Sequence, residues 1–151
     1  MNGYQAGIEE AGGDFLEDEV QYADATATKA VDAMNGIISR YPDGVAIICA
    51  NNDDMAIAAA KAARDSGNAA YENTIFLGFN GDRAACEAIM EGNLTMSIAQ
   101  MAYEMGYLSV EAMVQTLDGE EVEPTIDSGS EVVTADNAEA RLATLDEQLS
   151  S

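Results

Sequence analysis

Short apolar runs alternate along the chain with longer stretches in which apolar residues recur every three or four positions. Each run is about as long as a β-strand, whereas the longer stretches have the spacing of amphipathic helices, as at Ala30, Met34 and Ile38. The predicted helices cover residues 2–11, 24–40, 54–66, 82–91, 102–117 and 137–149, and the predicted strands cover residues 15–22, 45–50, 74–79, 95–99 and 132–134. Because alternating strands and helices form parallel sheets, the pattern predicts an α/β fold.

Polar side chains follow three successive apolar strands at the point where each strand ends. These are Asn52, Asn80 and Gln100, and Phe79 directly precedes Asn80. Ligands of open α/β sheets bind beyond the carboxyl ends of the strands, so the three amides are expected to converge on one ligand. A planar amide engages two neighbouring hydroxyls, and an aromatic ring covers the apolar face of a pyranose. The pattern therefore predicts a site for a neutral, hydroxyl-rich small molecule.

A structural role for the first of these loops is the competing interpretation. Asn51 and Asn52 also fit a simple turn and cap, because Asn and Asp are common after strands. Asp53 is predicted to be the N-cap of the helix at residues 54–66, with a carboxylate that also braces the loop. Asn51 and Asp53 are therefore assigned supporting roles at the site.

Composition narrows the class of protein. At 151 residues the chain is treated as one domain, residues 1–151, with a sizeable core. The net charge of −22 leaves no basic footprint for nucleic acid. There is no histidine, and Cys49 and Cys86 lack the spacing of a zinc site and are expected to be small core residues. We therefore expect no catalytic residue, no metal and no cofactor.

Five motifs give the chain a family resemblance. They are ANNDDMA at residues 50–56, LGFNG at 77–81, MSIAQ at 96–100, LDGE at 117–120 and VVTADN at 132–137. In this order and spacing they resemble the C-terminal half of the sugar-binding proteins of bacterial ABC importers, among which the ribose- and galactose-binding proteins are the most similar known to us. The resemblance implies one lobe of a type I periplasmic binding protein, with a flavodoxin-like, three-layer parallel sheet that lacks its first strand.

The resemblance also implies a role for each strand-end residue. Asn52 and Asn80 would contact sugar hydroxyls, Phe79 would line the pocket, and Gln100 would bind ligand near the hinge. The family usually has Asp where this chain has Asn80, and the loss of charge-assisted hydrogen bonds would weaken binding or change which sugar fits. The implied ligand is a monosaccharide such as galactose, glucose or ribose. The implied partner of the intact, extracytoplasmic protein is an ABC permease.

The family has two lobes, and this chain matches only the second. The first lobe, a signal peptide and the central strand expected before Asn2 are not in the sequence, so we expect a fragment of a longer protein begun at an internal methionine. The gapped sheet and the uncovered helix at residues 102–117 lead us to expect a homodimer or an oligomer that exchanges elements. Half a cleft supplies half the hydrogen bonds, so millimolar or absent sugar affinity is expected.

Two other functions fit parts of the sequence. The effector-binding domain of a LacI-type sugar-responsive transcription repressor shares this fold and the N-D-x-M-A pattern, and a helix-turn-helix upstream would identify it. A small enzyme that uses Asp53 and Asp54 as paired carboxylates would show magnesium-dependent turnover of a phosphate ester. The segment at residues 98–100 and the ending at 133–137 favour the transport protein.

Overall fold

The computed structural model of the chain describes residues 2–150. Its helices are α1 (Asn2–Glu10), α2 (Ala27–Arg40), α3 (Asp53–Asp65), α4 (Arg83–Met90), α5 (Ala102–Leu117) and α6 (Ala138–Ser150). Its strands are β1 (Ile47–Cys49), β2 (Ile75–Asn80), β3 (Met96–Gln100) and β4 (Ser130–Val133), in the order β1-β2-β3-β4. The predicted α/β fold is confirmed. Two short 3₁₀ turns, Glu17–Glu19 and Ala69–Tyr71, complete the regular structure of the described residues.

The sheet is mixed, which differs from the all-parallel sheet that the sequence predicts. β1, β2 and β3 are parallel, but β4 is antiparallel to β3, with Gln100 opposite Ser130 and Ser97 opposite Val133. The reason lies in the connection after α5, which returns the chain to the carboxyl end of β3. β4 therefore begins beside the last residue of β3 and can only run backwards along it.

The predicted strand at residues 15–22 is wrong. The segment instead contains the 3₁₀ turn Glu17–Glu19. Glu19 accepts hydrogen bonds from Arg40 Nε at 2.8 Å and from the Tyr41 hydroxyl at 3.2 Å. A strand needs a neighbour for its backbone groups, and these side-chain contacts hold the acidic segment against the end of α2 instead.

Helices cover one face of the sheet closely. Phe76 and Gly78 of β2 and Ser97 and Ala99 of β3 are buried on this face. A Cβ at Gly78 would collide with the carboxylate of Asp53 and lie 3.4 Å from the Ala56 Cβ, so α3 rests directly on the sheet. α4 packs beside α3, and α6 packs on α4. The core on this side consists largely of alanines, which allow this close approach.

The opposite face and the first edge of the sheet are only partly covered. Ile47, Ile75 and Val132 remain 38–52% exposed on that face, so the expected third layer is incomplete. β1 has a neighbouring strand on one side alone among the described residues. A groove of about 780 Å³ follows its other side, lined by Tyr4 and Ile8 of α1 and by parts of α2. The family resemblance implies a central strand on this side of β1, and among the described residues the groove lies there.

The α5 helix has no residue that is buried in the described part of the chain. Its apolar side chains recur at intervals of four and three positions, and they are 52–82% exposed: Tyr103, Tyr107, Val110, Val114 and Leu117. Among the described residues, no element covers these side chains. Within residues 2–150, no helix combines the length and apolarity that crossing a bilayer requires.

Candidate functional site

Two of the predicted amides meet at the carboxyl ends of β2 and β3. Gln100 Nε2 donates a hydrogen bond of 2.7 Å to Asn80 Oδ1, and both side chains are partly buried. The bond leaves the two N–H groups of Asn80, one N–H of Gln100 and the carbonyl oxygen of Gln100 for other partners. The pair therefore presents both donors and an acceptor at one place, which suits adjacent hydroxyl groups.

The backbone at this place is unusual. Asn80 has φ +132° and Gly81 has φ +64°, and the first of these values is rare for a residue with a side chain. A Cβ at Gly81 would lie 2.5 Å from the Ala99 Cα, so only glycine allows β2 and β3 to approach this closely where β2 ends. The glycine and the conformation of Asn80 together keep the two amides within hydrogen-bond distance.

Phe79 supplies an apolar surface beside the pair. It lies opposite Ile98 in the sheet register and is partly buried. Alternation along a strand places Phe79 on the same sheet face as Ile75, which is the incompletely covered one. A partly buried aromatic ring next to two amides fits a ligand that has both hydroxyl groups and an apolar face.

Asn52 is committed to the helix that follows it. Its Oδ1 accepts a hydrogen bond of 2.8 Å from the Met55 N–H, and its Nδ2 donates to the Ala25 carbonyl at 3.4 Å. The N-cap of α3 is thus Asn52, and the prediction that Asp53 caps the helix is wrong. The reason is that the helix starts one residue earlier than predicted, after an extended Asn52. Asn51 is exposed in the preceding bend.

Asp53 contacts the loop that follows Asn80 rather than its own loop alone. Its carboxylate is fully buried and accepts hydrogen bonds from the Ser97 hydroxyl at 2.6 Å and from the Asp82 N–H at 3.2 Å. Ser97 Oγ in turn accepts from the Gly81 N–H at 3.1 Å. Burial raises the pKa of the Asp53 carboxyl, and the hydrogen bonds from Ser97 and Asp82 oppose that rise.

Arg141 contacts the same loop from α6, and the sequence analysis did not identify it. Its Nε donates to the Gly81 carbonyl at 3.4 Å and its Nη2 donates to the Gln100 carbonyl at 3.1 Å. The sequence does contain a sign of this role. Arg141 lies three residues after Ala138 and four before Leu145, so it is a cation on a helix face that is otherwise apolar. A basic residue at a core position, in a chain with only six, indicates a specific partner.

The site is open to solvent and separate from the apolar groove. The groove beside β1 reaches Asn51 and Asn52 at one end, but its lining includes neither Asn80 nor Gln100. Cys86 is buried and Cys49 partly buried, neither forms a disulfide, and burial raises the pKa of both thiols. Among residues 2–150, no group of three or more potential metal-binding side chains lies close together.

A family model and individual relatives both relate this chain to periplasmic binding proteins. Residues 1–121 match the model of the periplasmic binding protein domain. The ribose import binding protein of Bacillus subtilis is 32% identical over 106 residues, which is 70% of this chain and 33% of that protein. The HTH-type transcriptional regulator CelR of Thermobifida fusca is 32% identical over 124 residues, 82% of this chain and 35% of the regulator.

Solved structures agree with this match. An ABC transporter solute-binding protein from Bacillus halodurans, crystallised with bound myo-inositol, has a TM-score of 0.77 and 30% identity. The alignment covers 94% of this chain and 48% of that protein. The chain therefore spans about a third of the curated ribose-binding relative and about half of the solved structure.

Proposed function

The chain belongs to the periplasmic binding protein domain family, and we propose that it is a non-catalytic lobe that binds a monosaccharide. In this proposal residues 1–151 form the C-terminal lobe of a longer, extracytoplasmic sugar-binding protein, and that protein delivers its sugar to an ABC permease. The ribose-binding relative and the solute-binding structure support the class of ligand and the transport role. The proposed sugars are ribose, galactose or glucose.

The observation that carries the proposal is the amide pair of Asn80 and Gln100 beside Phe79. Sugar hydroxyls each donate and accept, and the pair offers free N–H groups and a free carbonyl oxygen within one hydrogen-bonded unit. Asn52 would add the N–H groups of its amide, since its carbonyl oxygen is used by the N-cap of α3. In the proposal its Nδ2, which donates to the Ala25 carbonyl at 3.4 Å, exchanges that carbonyl for a sugar hydroxyl.

The affinity of the chain by itself should be low. The site is an open surface that holds one side of a ligand, so the hydrogen bonds of an opposing surface are missing while the cost of immobilising the sugar remains. We expect a dissociation constant in the millimolar range, which corresponds to about 4 kcal/mol of binding free energy. A micromolar constant would contradict the idea that half of the contacts are missing.

Isothermal titration calorimetry with ribose, galactose, glucose and myo-inositol tests the proposal. Asn80→Ala should abolish the heat of binding of the preferred sugar. Asn93→Ala is the matched control, because this amide follows α4, away from the proposed site, and its Nδ2 donates to Glu91 Oε2 at 2.8 Å. Equal, measurable binding of the preferred sugar by the two variants would refute the proposed site.

A regulator is the second candidate, because the similarity to the transcriptional regulator covers 82% of the chain. In that case the same lobe would be the effector-binding domain of a sugar-responsive repressor. The sequence of the parent gene upstream of residue 1 separates the two functions. A signal peptide there would support transport, and a helix-turn-helix would support regulation.

We further propose that the isolated chain forms a homodimer. The exposed positions of α5 follow each other at intervals of four and three residues, which is the spacing of a helix that packs against another helix. The unpaired edge of β1 and its groove offer a second surface, suited to an exchanged strand. The net charge of −22 on each copy opposes association, so dimerisation should strengthen as salt screens the repulsion.

A further inference from the structure

A single peptide group, between Gly81 and Asp82, is held at both ends by buried charged side chains. Its N–H, from Asp82, donates to Asp53 Oδ2 at 3.2 Å, and its C=O, from Gly81, accepts from Arg141 Nε at 3.4 Å. The peptide is trans, so its N–H and C=O point in opposite directions. The carboxylate of α3 and the guanidinium of α6 therefore hold the loop after β2 from opposite sides.

Arg141 also connects this loop to the next strand. Its Nη2 donates to the Gln100 carbonyl at 3.1 Å, and its Nη1 lies 3.7 Å from the Met101 sulfur. The guanidinium thus contacts the loop directly after Asn80 and the backbone of Gln100, which are the two places that carry the amide pair. Because the guanidinium is planar, it fixes the two carbonyls relative to each other, which a single ammonium group cannot do.

The burial of this cation is unusual in this chain. Arg141 is 5% exposed and is the buried one among the six Lys and Arg residues. Its carboxylate neighbour, Glu131, is 3.9 Å away from Nη1 and partly exposed, which is a weak ion pair. Burying a charge is unfavourable unless hydrogen bonds compensate it, and most of the hydrogen bonds here go to backbone carbonyls at the site.

The backbone that these contacts hold is strained. Asn80 has φ +132° and Gly81 has φ +64°, so two successive residues lie in the positive-φ region. Such conformations persist only where the surroundings fix them, and they concentrate at ligand sites. Asp53, Ser97 and Arg141 supply that support through four hydrogen bonds to the Gly81–Asp82 segment and to one another.

We propose that Arg141 is a positioning residue for the sugar site, acting with Asp53 to hold the loop so that the Asn80 and Gln100 amides face one ligand. The inference rests on the proposed function for its ligand, but the positioning itself exists without sugar. Arg141 does not touch the sugar in this proposal; it sets the distance between the two groups that do.

The test compares Arg141→Met, Arg141→Lys and Arg64→Met in the full chain. Arg64 is the matched control, because its Nη1 also donates to a backbone carbonyl, that of Asn93 at 2.9 Å, on the exposed surface. Hydrogen exchange measured by NMR without ligand reports on the Asp82 amide and on the Gln100 side-chain amide. The Ala60 amide, in the buried part of α3, reports on global unfolding in the same spectrum.

Arg141→Met should speed exchange of the Asp82 and Gln100 amides about tenfold relative to Ala60, which is the size expected for a lost hydrogen bond to a charged group. Arg141→Lys should give an intermediate increase, and it carries the test if the Met variant does not fold. Arg64→Met should leave both ratios, Asp82 to Ala60 and Gln100 to Ala60, unchanged. If Arg141→Met changes all amides in parallel, or leaves Asp82 and Gln100 unchanged, Arg141 is a structural residue only and the proposal is wrong.

A ribose and galactose titration of the same samples separates this inference from the proposed function. Faster exchange in Arg141→Met with no sugar response in the unaltered chain would support the positioning role and refute the sugar site. A sugar response in the unaltered chain that Arg141→Lys retains at full strength would refute the positioning role. The joint expectation is a sugar response that weakens at least fivefold in Arg141→Lys and stays unchanged in Arg64→Met.

Discussion

Replacing Gly81 with alanine should damage both the fold and the site, and the size of the effect can be derived from the structure. Gly81 has φ +64°, and an added Cβ would collide with the Cβ of Ala99 and lie 2.5 Å from its Cα. The obstructing atoms belong to the backbone and the first side-chain carbon of β3, which cannot rotate away. The loop carrying Asn80 would have to move outward from Gln100.

Gly67 provides a matched control for the conformational part of the effect. Its φ is +67°, close to that of Gly81, but an added Cβ there meets no atom within 4 Å. Alanine in this left-handed region costs roughly 1–2 kcal/mol at either position. Overpacking adds roughly 1–3 kcal/mol at Gly81 alone. We therefore expect about 2–5 kcal/mol of destabilisation for Gly81→Ala and about 1–2 kcal/mol for Gly67→Ala.

Urea unfolding followed by far-ultraviolet circular dichroism measures both values, at one protein concentration so that self-association does not differ. Replacing glycine with alanine also lowers the conformational entropy of the unfolded chain, which stabilises the folded state. This contribution is the same for both Gly→Ala changes and cancels when the two variants are compared. Gly81→Ala should also lose the sugar response, whereas Gly67→Ala should keep it. If the two variants are equally stable, the close approach of the loop to Ala99 does not hold this part of the molecule together, and the reasoning is refuted.

Three further predictions address the buried acid, the ligand and the association surface. Burial raises the pKa of the Asp53 carboxyl above its unfolded value, so its stabilising contribution is complete below the unfolded pKa of about 4 and is lost as pH rises through the folded pKa. We therefore compare the unfolding free energies of the unaltered chain and of Asp53→Asn in urea titrations. The difference between them should decrease as the pH is raised from 4 to 7, and an increase would contradict this. Asn80→Asp should bind the preferred sugar about tenfold more tightly by calorimetry, because a carboxylate accepts charge-assisted hydrogen bonds, and weaker binding would count against a direct contact. Val110→Ser combined with Val114→Ser should shift the chain from dimer to monomer in sedimentation equilibrium, whereas Gln115→Ala should not; a dimer that survives the double change does not use α5.

The sequence was sufficient for the alternation of strands and helices. Apolar runs before Asn52, Asn80 and Gln100 and the amphipathic spacing of residues 24–40 depend on local chemistry, and the structure agrees with them within a few residues. Two elements depended on tertiary neighbours instead. Residues 15–22 alternate like a strand, but the contacts of Glu19 with Arg40 and Tyr41 hold this segment against the end of α2 instead of in the sheet. β4 takes its direction from where the connection after α5 returns.

Some residues of the candidate site could likewise be predicted from the sequence, and others could not. The residues proposed to face the ligand were visible as polar side chains directly after strands, and the contact between Asn80 and Gln100 follows from adjacent parallel strands. The role of Arg141 in holding the loop could not be predicted from the sequence. Arg141 is 60 residues from Gly81 and contacts it through the packing of α6 on α4. Asn52 takes the cap that was predicted for Asp53 because the helix begins one residue earlier than predicted, a difference that sequence patterns do not resolve.

The most direct test of the account is an NMR titration that follows the side-chain amides of Asn80 and Gln100 as ribose, galactose or glucose is added. We predict that these two amides and the Phe79 ring shift together with one millimolar dissociation constant. The side-chain amide of Asn68, on the turn after α3, donates to the Pro42 carbonyl and should stay unchanged. Sugar-dependent shifts confined to the groove beside β1, or no shift of Asn80 and Gln100 at sugar concentrations that move other signals, would contradict the central claim.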